Sequence, residues 1–578
     1  MAIFTPSESP AVIVKEIDLT GGVPNVQSTT GAFVGNFRWG PARKATLIDT
    51  EASLAATFAT PSVTSAVDFL SAAYFLRYTN SLYVVREVTA AAYNATSGTS
   101  TTVQVRNADH FTTLVDTFGV DSGETNVGAY IARYPGALGN SLKVSICPAV
   151  AGDAYFTGWT YKSSFDGAPG TSAYASARSG VSDEVHVVVV DEDGLFTGVP
   201  GEVLERFAYV SLGSDAKTPD GSSNYVKDVI NSASSYIWLA HFDGDLANLT
   251  NAGTTVVSKT FAASATGVIN ESLTSGADSA ALGTSQYATG FDLFEDVDTI
   301  TVDFLIAPSM SVQGDQTTVV NDLIAIAGST RKDCIVVASP NRAAVVNNAT
   351  PVTASVTTAN TFTFSSYLVL DNNFLKVYDK YNDQYIFIPA ASSTAGIMAA
   401  TDFNNAPWYS PAGQRRGAYL GITALSYSPT KAERDTLYKA GINPIANIPG
   451  SGVLLFGDKT HMNRPSAFDR INVRRLFLVL ERAISIAARN VMFEFNDEFT
   501  RAEFVNIVEP FLREVQGRRG ITDFRVVCDE TNNLPAVIDR NEFIASIFIK
   551  PARSINYITL NFVAVRTGVD FEEVVGTV

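Results

Sequence analysis

Apolar positions recur along this chain with two spacings, and the switches between them mark its elements. Residues 32–37 read as a strand that ends in the turn Trp39-Gly40-Pro41, and 45–48 read as a second short strand. Residues 51–58 and 67–78 carry helical spacing, and 81–88 return to strand. This β-β-α-α-β opening predicts an α/β core. Further strands are expected at 142–146, 185–190, 301–307 and 334–338, with helices through 293–295 and over 319–327. Strand-helix-strand units of this kind imply a mixed, partly parallel sheet. A hairpin is predicted from 374–378 and 384–389, turned at Tyr381-Asn382-Asp383, with a helix at 395–401.

The last third changes character. Asp469 is a candidate N-cap for a helix through Arg489, with Val473, Leu476, Phe477, Leu480, Ile484 and Ala487 on one face. Arg474, Arg475, Glu481, Arg482 and Arg489 fall largely off that stripe. Thr500 and Glu503 suggest a capping box for a second helix, buried through Phe504, Ile507, Val508, Phe511 and Val515 and stopped by Gly517 and Gly520. Strands are expected at 524–528, 543–549 and 555–565, which makes an α+β C-terminal domain. Two stretches, 89–128 and 242–288, are rich in Ala, Thr, Ser, Gly and Asn and read as all-β insertions, the second as a peripheral insertion or long β-rich loop with apolar residues too sparse for a core. The segment 203–209 fits helix or strand. Residues 11–17 form a short apolar strand between Pro6, Pro10 and Gly21-Gly22, suited either to pairing with another sheet edge or to opening the first domain.

At 578 residues with 46% apolar and 17% charged residues, the chain holds several domains' worth of core. A net charge of −17 argues against a surface that tracks nucleic acid. From Arg464 to Arg525 the arginines slightly outnumber the acids, so that region suits an anionic partner or salt-bridged helix faces. Cys147, Cys334 and Cys528 are far apart in apolar contexts and read as buried thiols, with no disulfide framework or zinc spacing. The N-terminus lacks the features of a signal peptide, and no apolar run reaches membrane-spanning length. His110, His186, His241 and His461 lie in separate segments without metal-ligand spacing. Gly35 to Gly40 lacks the Lys-Ser/Thr of a phosphate loop, and Gly450-Ser451-Gly452 is not a nucleophile elbow. Asp191, Glu192 and Asp193 beside Gly194 suit a plain hairpin turn better than a calcium loop. No catalytic, cofactor or metal residues are nominated.

Three stretches carry a resemblance to a known family. They are Gly31 to Pro41 (GAFVGNFRWGP) with the later NSLYVVR, the segment WYSPAGQRRG with Trp408, Ser410, Pro411, Gly413 and Arg415, and the C-terminal run from INPIANIPG through PSAFDRINVRRLFLVLERAI to KPARSINYITLNFVAVRTG. In this order they closely resemble the tail sheath proteins of contractile-tailed bacteriophages. The resemblance implies a linking arm at 1–20, a core domain in three parts (21–88, 129–241 and 289–441), a protruding insertion at 89–128, a peripheral one at 242–288, a tube-facing domain at 442–566 and a second arm at 567–578. It implies that Val12, Ile13, Val14 and Ile17, and at the other end Phe571, Val574 and Val575, join neighbouring copies by adding strands to their sheets. Arg474, Arg475, Arg482, Arg518 and Arg519 are the expected tube-facing or inter-subunit charge contacts. The implied partners are further copies in stacked six-membered rings, an inner tail tube protein, and baseplate and tail terminator proteins, with no direct nucleic acid, no membrane insertion and no cofactor. Assembly in the host cytoplasm into a virion is implied with them. Two other classes remain open on the residues alone: an enzyme whose site is assembled from distant residues, such as a subtilisin-like hydrolase, and a carbohydrate-binding or adhesin-like surface protein using the Thr/Ser/Asn-rich insertions.

Overall fold

The computed structural model describes residues 28–100, 102–114, 127–242, 244–263 and 267–555. The expected strand 11–17, both arms and nearly all of the expected strand 555–565 lie outside the described residues. Two compact units divide the chain: a larger one, Val26–Pro407 with Pro411–Arg474, and a smaller one that takes in Trp408–Ser410 and the chain from Arg475 onward.

The larger unit is built on a six-stranded sheet in the order Leu368–Leu370, Ile335–Ala338, Phe304–Ile306, Gly31–Gly35, Leu82–Arg86, Thr46–Ile48. The first five strands run parallel, and the edge strand Thr46–Ile48 runs antiparallel. Gly31–Gly35 and Ile335–Ala338 are buried at every residue, the signature of strands covered on both faces. Ala32, Val34, Leu305 and Val336 meet Phe291, Val320 and Leu323 of helices Thr284–Asp292 and Gln313–Ala325. Side chains alternate across a strand, so Phe304 faces the other way and meets Phe75 of helix Ala66–Phe75 edge-on, ring centroids 6.4 Å apart. The expected mixed, partly parallel α/β core is present. The helix placed by sequence at 293–295 ends instead at Asp292, and it starts at Thr284 where the Gln286 side chain accepts from the Gly283 N–H at 3.0 Å.

Residues 87–303, between strands Leu82–Arg86 and Phe304–Ile306, build a second, antiparallel sheet in the order Ile269–Ser272, Leu142–Pro148, Glu184–Asp191, Glu202–Ser211. The ambiguous segment 203–209 is therefore strand. Asp191 closes its own turn: it accepts from Ser141 Oγ at 2.6 Å and from the N–H groups of Phe196 and Thr197 at 3.0 and 2.8 Å. The reading of 242–288 as peripheral is corrected here. Leu246, Leu249, Val256, Phe261, Ile269 and Leu273 are all buried in this sheet's core, and Ile269–Ser272 supplies its outer strand. Their wide spacing hides a core contribution that only the assembled sheet collects. Within 89–128, the stretch read as an all-β insertion, residues Ala108–Leu114 form a helix. Asn107 Oδ1 accepts from the His110 N–H at 2.9 Å, as an N-cap does, and Phe111 stacks on Trp238 with centroids 4.1 Å apart.

The two sheets are tied by a buried cation. Arg86 is 1% exposed, and its guanidinium donates to the carbonyls of Phe37 (2.8 Å), Gly40 (2.8 Å), Arg38 (3.3 Å) and Pro135 (2.6 Å). Burial pulls its pKa down to about 10. Gly40 makes this clamp feasible: its φ is 95°, and a Cβ there would lie 2.7 Å from the Thr57 carbonyl oxygen.

Candidate assembly interface

The smaller unit begins along helix Ile471–Ala488, where Leu476, Leu480, Ala483 and Ala487 form the buried stripe at helical spacing. The helix starts two residues beyond Asp469, which pairs with Arg470 at 3.7 Å rather than capping. A second helix, Glu498–Gly517, is capped by Asp497, whose side chain accepts from the Thr500 N–H at 2.8 Å. The box expected at Thr500 and Glu503 is thus one turn too late. Thr500 is buried inside the first turn, because the acid three residues upstream has the freer backbone for an N-cap. Phe504, Val508, Leu512 and Val515 form its buried stripe.

Trp408, part of the WYSPAGQRRG segment, packs on the end of this helix. Its Nε1 donates to the Arg518 carbonyl at 3.0 Å, and the Arg518 guanidinium lies 5.0 Å from its ring centroid. Gly520 admits the indole, since a Cβ there would stand 3.0 Å from the Trp408 ring. Next comes an antiparallel pair of strands, Ile521–Val527 and Ser546–Pro551. Among the described residues each of these strands has one edge without a partner strand. Such edges present a row of main-chain donors and acceptors that another strand can complete.

The five arginines singled out by sequence do not share one environment. Arg474 and Arg475 are each 5% exposed, and Arg474, which belongs to the larger unit, lies 3.8 Å over the Tyr367 ring. Lying off the apolar stripe does not leave them exposed, because every residue of the helix's first turn is buried. Arg482 is half-buried, whereas Arg518 and Arg519 are exposed, with Arg518 3.6 Å from Glu514. Val12, Ile13, Val14, Ile17, Phe571, Val574 and Val575 lie outside the described residues.

Sequence reasoning passed over the turn between the two helices. Phe493, Phe495 and Phe499 are 100%, 84% and 76% exposed. Their interleaving with Glu494, Asp497 and Glu498 was the available signal, since acids inside an aromatic run keep it out of a core. The histidines with full burial are used in packing. His186 stacks on Phe165 at 4.1 Å while its Nδ1 accepts from the Tyr209 N–H and its Nε2 donates to the Gly167 carbonyl. His461 stacks on Phe364 at 4.9 Å, with Nε2 3.0 Å from the Ala359 carbonyl oxygen. Cys147, Cys334 and Cys528 are buried and not joined in disulfides. Among the described residues no group of three or more His, Cys, Asp or Glu side chains is arranged to hold a metal ion, and no helix is long and apolar enough to cross a membrane.

Comparison with known proteins bears on this arrangement. The phage tail sheath C-terminal domain family matches residues 463–564, and the phage tail sheath protein central domain family matches residues 280–461. The chain is 32% identical to the tail sheath protein of Vibrio phage KVP40, over 98% of this chain and 99% of that one. It is also 32% identical to the tail sheath protein of Enterobacteria phage T4, with the same coverage. Its fold is similar to the crystal structure of a sheath tail protein from Listeria innocua, with a TM-score of 0.53 and 12% identity over 92% of this chain and 96% of that one.

Proposed function

The chain belongs to the phage tail sheath proteins, and from that membership we propose that it is the structural subunit of a contractile tail. Copies polymerise as stacked six-membered rings around an inner tube and hold an extended, metastable arrangement. A baseplate signal releases the change to a compact packing, which drives the tube through the host envelope. The work comes from the free-energy difference between two packings of the same subunits, with no cofactor, metal or catalytic residue involved. The finished protein is a virion component, assembled in the host cytoplasm together with baseplate and terminator proteins.

The observation that carries this reading is the two-stranded sheet of the smaller unit, with one edge of each strand open among the described residues. Strands supplied by the arms of neighbouring copies, 1–20 with Val12, Ile13, Val14 and Ile17 and 567–578 with Phe571, Val574 and Val575, would complete those edges. Main-chain hydrogen bonds of this kind persist while the attached bodies turn, because the arms between them absorb the motion. The arginine contacts narrow to Arg482, Arg518 and Arg519, since Arg474 and Arg475 are already covered within the chain. Deletion of residues 1–18 or 567–578 tests the arms: each shortened chain is expected to stay a folded monomer and to form no tubes by electron microscopy. Normal tubes from both would reject the arm mechanism.

A further inference from the structure

The turn between helices Ile471–Ala488 and Glu498–Gly517 is an aromatic knob held out from the protein. Full burial of a phenylalanine is worth about 1.5–3 kcal/mol, so leaving Phe493, Phe495 and Phe499 in water forgoes most of that three times within seven residues. The backbone is strained in the same place. Phe493 has φ 71°, the left-handed region that a bulky side chain rarely adopts.

The turn is also pinned. Met492, Glu494 and Asp497 N–H groups donate to the carbonyls of Arg489, Val491 and Phe495 at 3.3, 3.4 and 2.9 Å. Asn496 donates to the Glu542 carbonyl at 2.8 Å and accepts from Arg501 at 3.0 Å, while Asp497 caps the following helix. Exposed aromatics on a strained, cross-braced turn are the anatomy of a preorganised binding hot spot, in which the ordering cost is met before contact. Between Arg489 and Arg501 the charged residues are Glu494, Asp497 and Glu498, so the receiving surface should be apolar with a cation at its rim.

The larger unit carries a hollow of mixed lining in which an apolar wall stands beside a cation, with polar surface making up the larger share. An open hollow of about 570 Å³ is lined by Phe364, Met462, Asn463 and Arg464. Phe364 is 42% exposed and backed by the buried His461 ring, which fixes the apolar wall. Arg464 is exposed and makes no ion pair among the described residues.

We propose that the Phe493–Phe495 knob of one copy seats in the Phe364–Met462–Arg464 hollow of a second copy of this chain, with Glu494 facing Arg464. Knob and hollow are different patches, so the contact is head-to-tail and propagates: each copy receives one knob and offers another, which generates rings or helices. The inference rests on the sheath reading and adds a specific subunit contact to it, distinct from the arms.

The test is disulfide trapping in tubes assembled from the full-length chain carrying Phe493→Cys and Met462→Cys. Mild oxidation is expected to give a ladder of covalent multimers from the double variant and none from either single variant. Charge reversal is the second arm. Glu494→Arg and Arg464→Glu are each expected to raise the concentration needed for tube formation about tenfold or more, and the combination to restore it. Tubes without the ladder, reversal without rescue, or trapping of the Phe493→Cys thiol to another protein or to the chain's own terminal segments would each overturn the contact. Failure of the unaltered chain to form any tube strikes at the sheath reading instead, so the two ideas fail separately.

Discussion

Two buried residues of the larger unit set local energetics that can be measured. Arg86 is the donor shared by four carbonyls from two separate loops, and removing it would take that donor from all four. With about 1–3 kcal/mol for each orphaned buried group, Arg86→Ala is expected to lose at least about 3 kcal/mol in denaturant unfolding. Arg86→Lys should recover part of it, because an ammonium is a point donor that cannot span the fork. Asp371 is the second case. It is fully buried, and burial pushes its carboxyl up to about 7, although it accepts from the Asn373 N–H and Thr394 Oγ at 3.2 Å each. The fold therefore holds a proton that the unfolded chain releases near pH 4. Its contribution is fully present below about pH 4, falls as pH rises toward 7 and is lost above. Asp371→Asn, which stays neutral, should melt higher than the parent at pH 8, by up to about 4 kcal/mol less the altered hydrogen bonds, and the gain should vanish near pH 4. A gain that grows toward acid would refute the assignment.

At the level of elements, the instructive case is helix Glu498–Gly517. Its buried stripe was legible from spacing, but its start was not, because Thr500-x-x-Glu503 is a sound capping box by composition while Asp497 holds the cap geometry. Asp497→Ala is expected to cost about 1 kcal/mol, and a substitution of Glu503 nearly nothing, in denaturant titrations that follow the helical signal. Helix Ala108–Leu114 failed the sequence reading for a related reason: seven residues with one buried anchor, Phe111, leave too little periodicity to read. Strand Ile269–Ser272 failed it differently. Nothing local marks four residues as the outer strand beside Leu142–Pro148, more than a hundred residues earlier.

For the whole molecule, the sheath reading separates folding from assembly. Each unit has its own buried core, so a chain without 1–18 or 567–578 is expected to melt at the parent midpoint while losing tubes, and the charge-reversal variants Glu494→Arg and Arg464→Glu should keep that midpoint as well. A deletion that lowered the melting point sharply would mean that the termini belong to their own subunit's core.

Sequence alone determined the element types along most of the core and the C-terminal domain, since a parallel strand covered on both faces must be apolar throughout and a half-covered helix must repeat its apolar residues every three or four positions. It also carried the family, through segments whose turn glycines, such as Gly40, and packing residues, such as Trp408, admit few replacements. Tertiary structure decided the rest. It brought Arg86 to Pro135, recruited the sparse apolar residues of 242–288 into a core, covered Arg474 and Arg475, and left Phe493 in water. Spacing reports which way a side chain points relative to its own backbone, whereas what it meets there depends on chain brought in from far away, and no local pattern encodes that meeting.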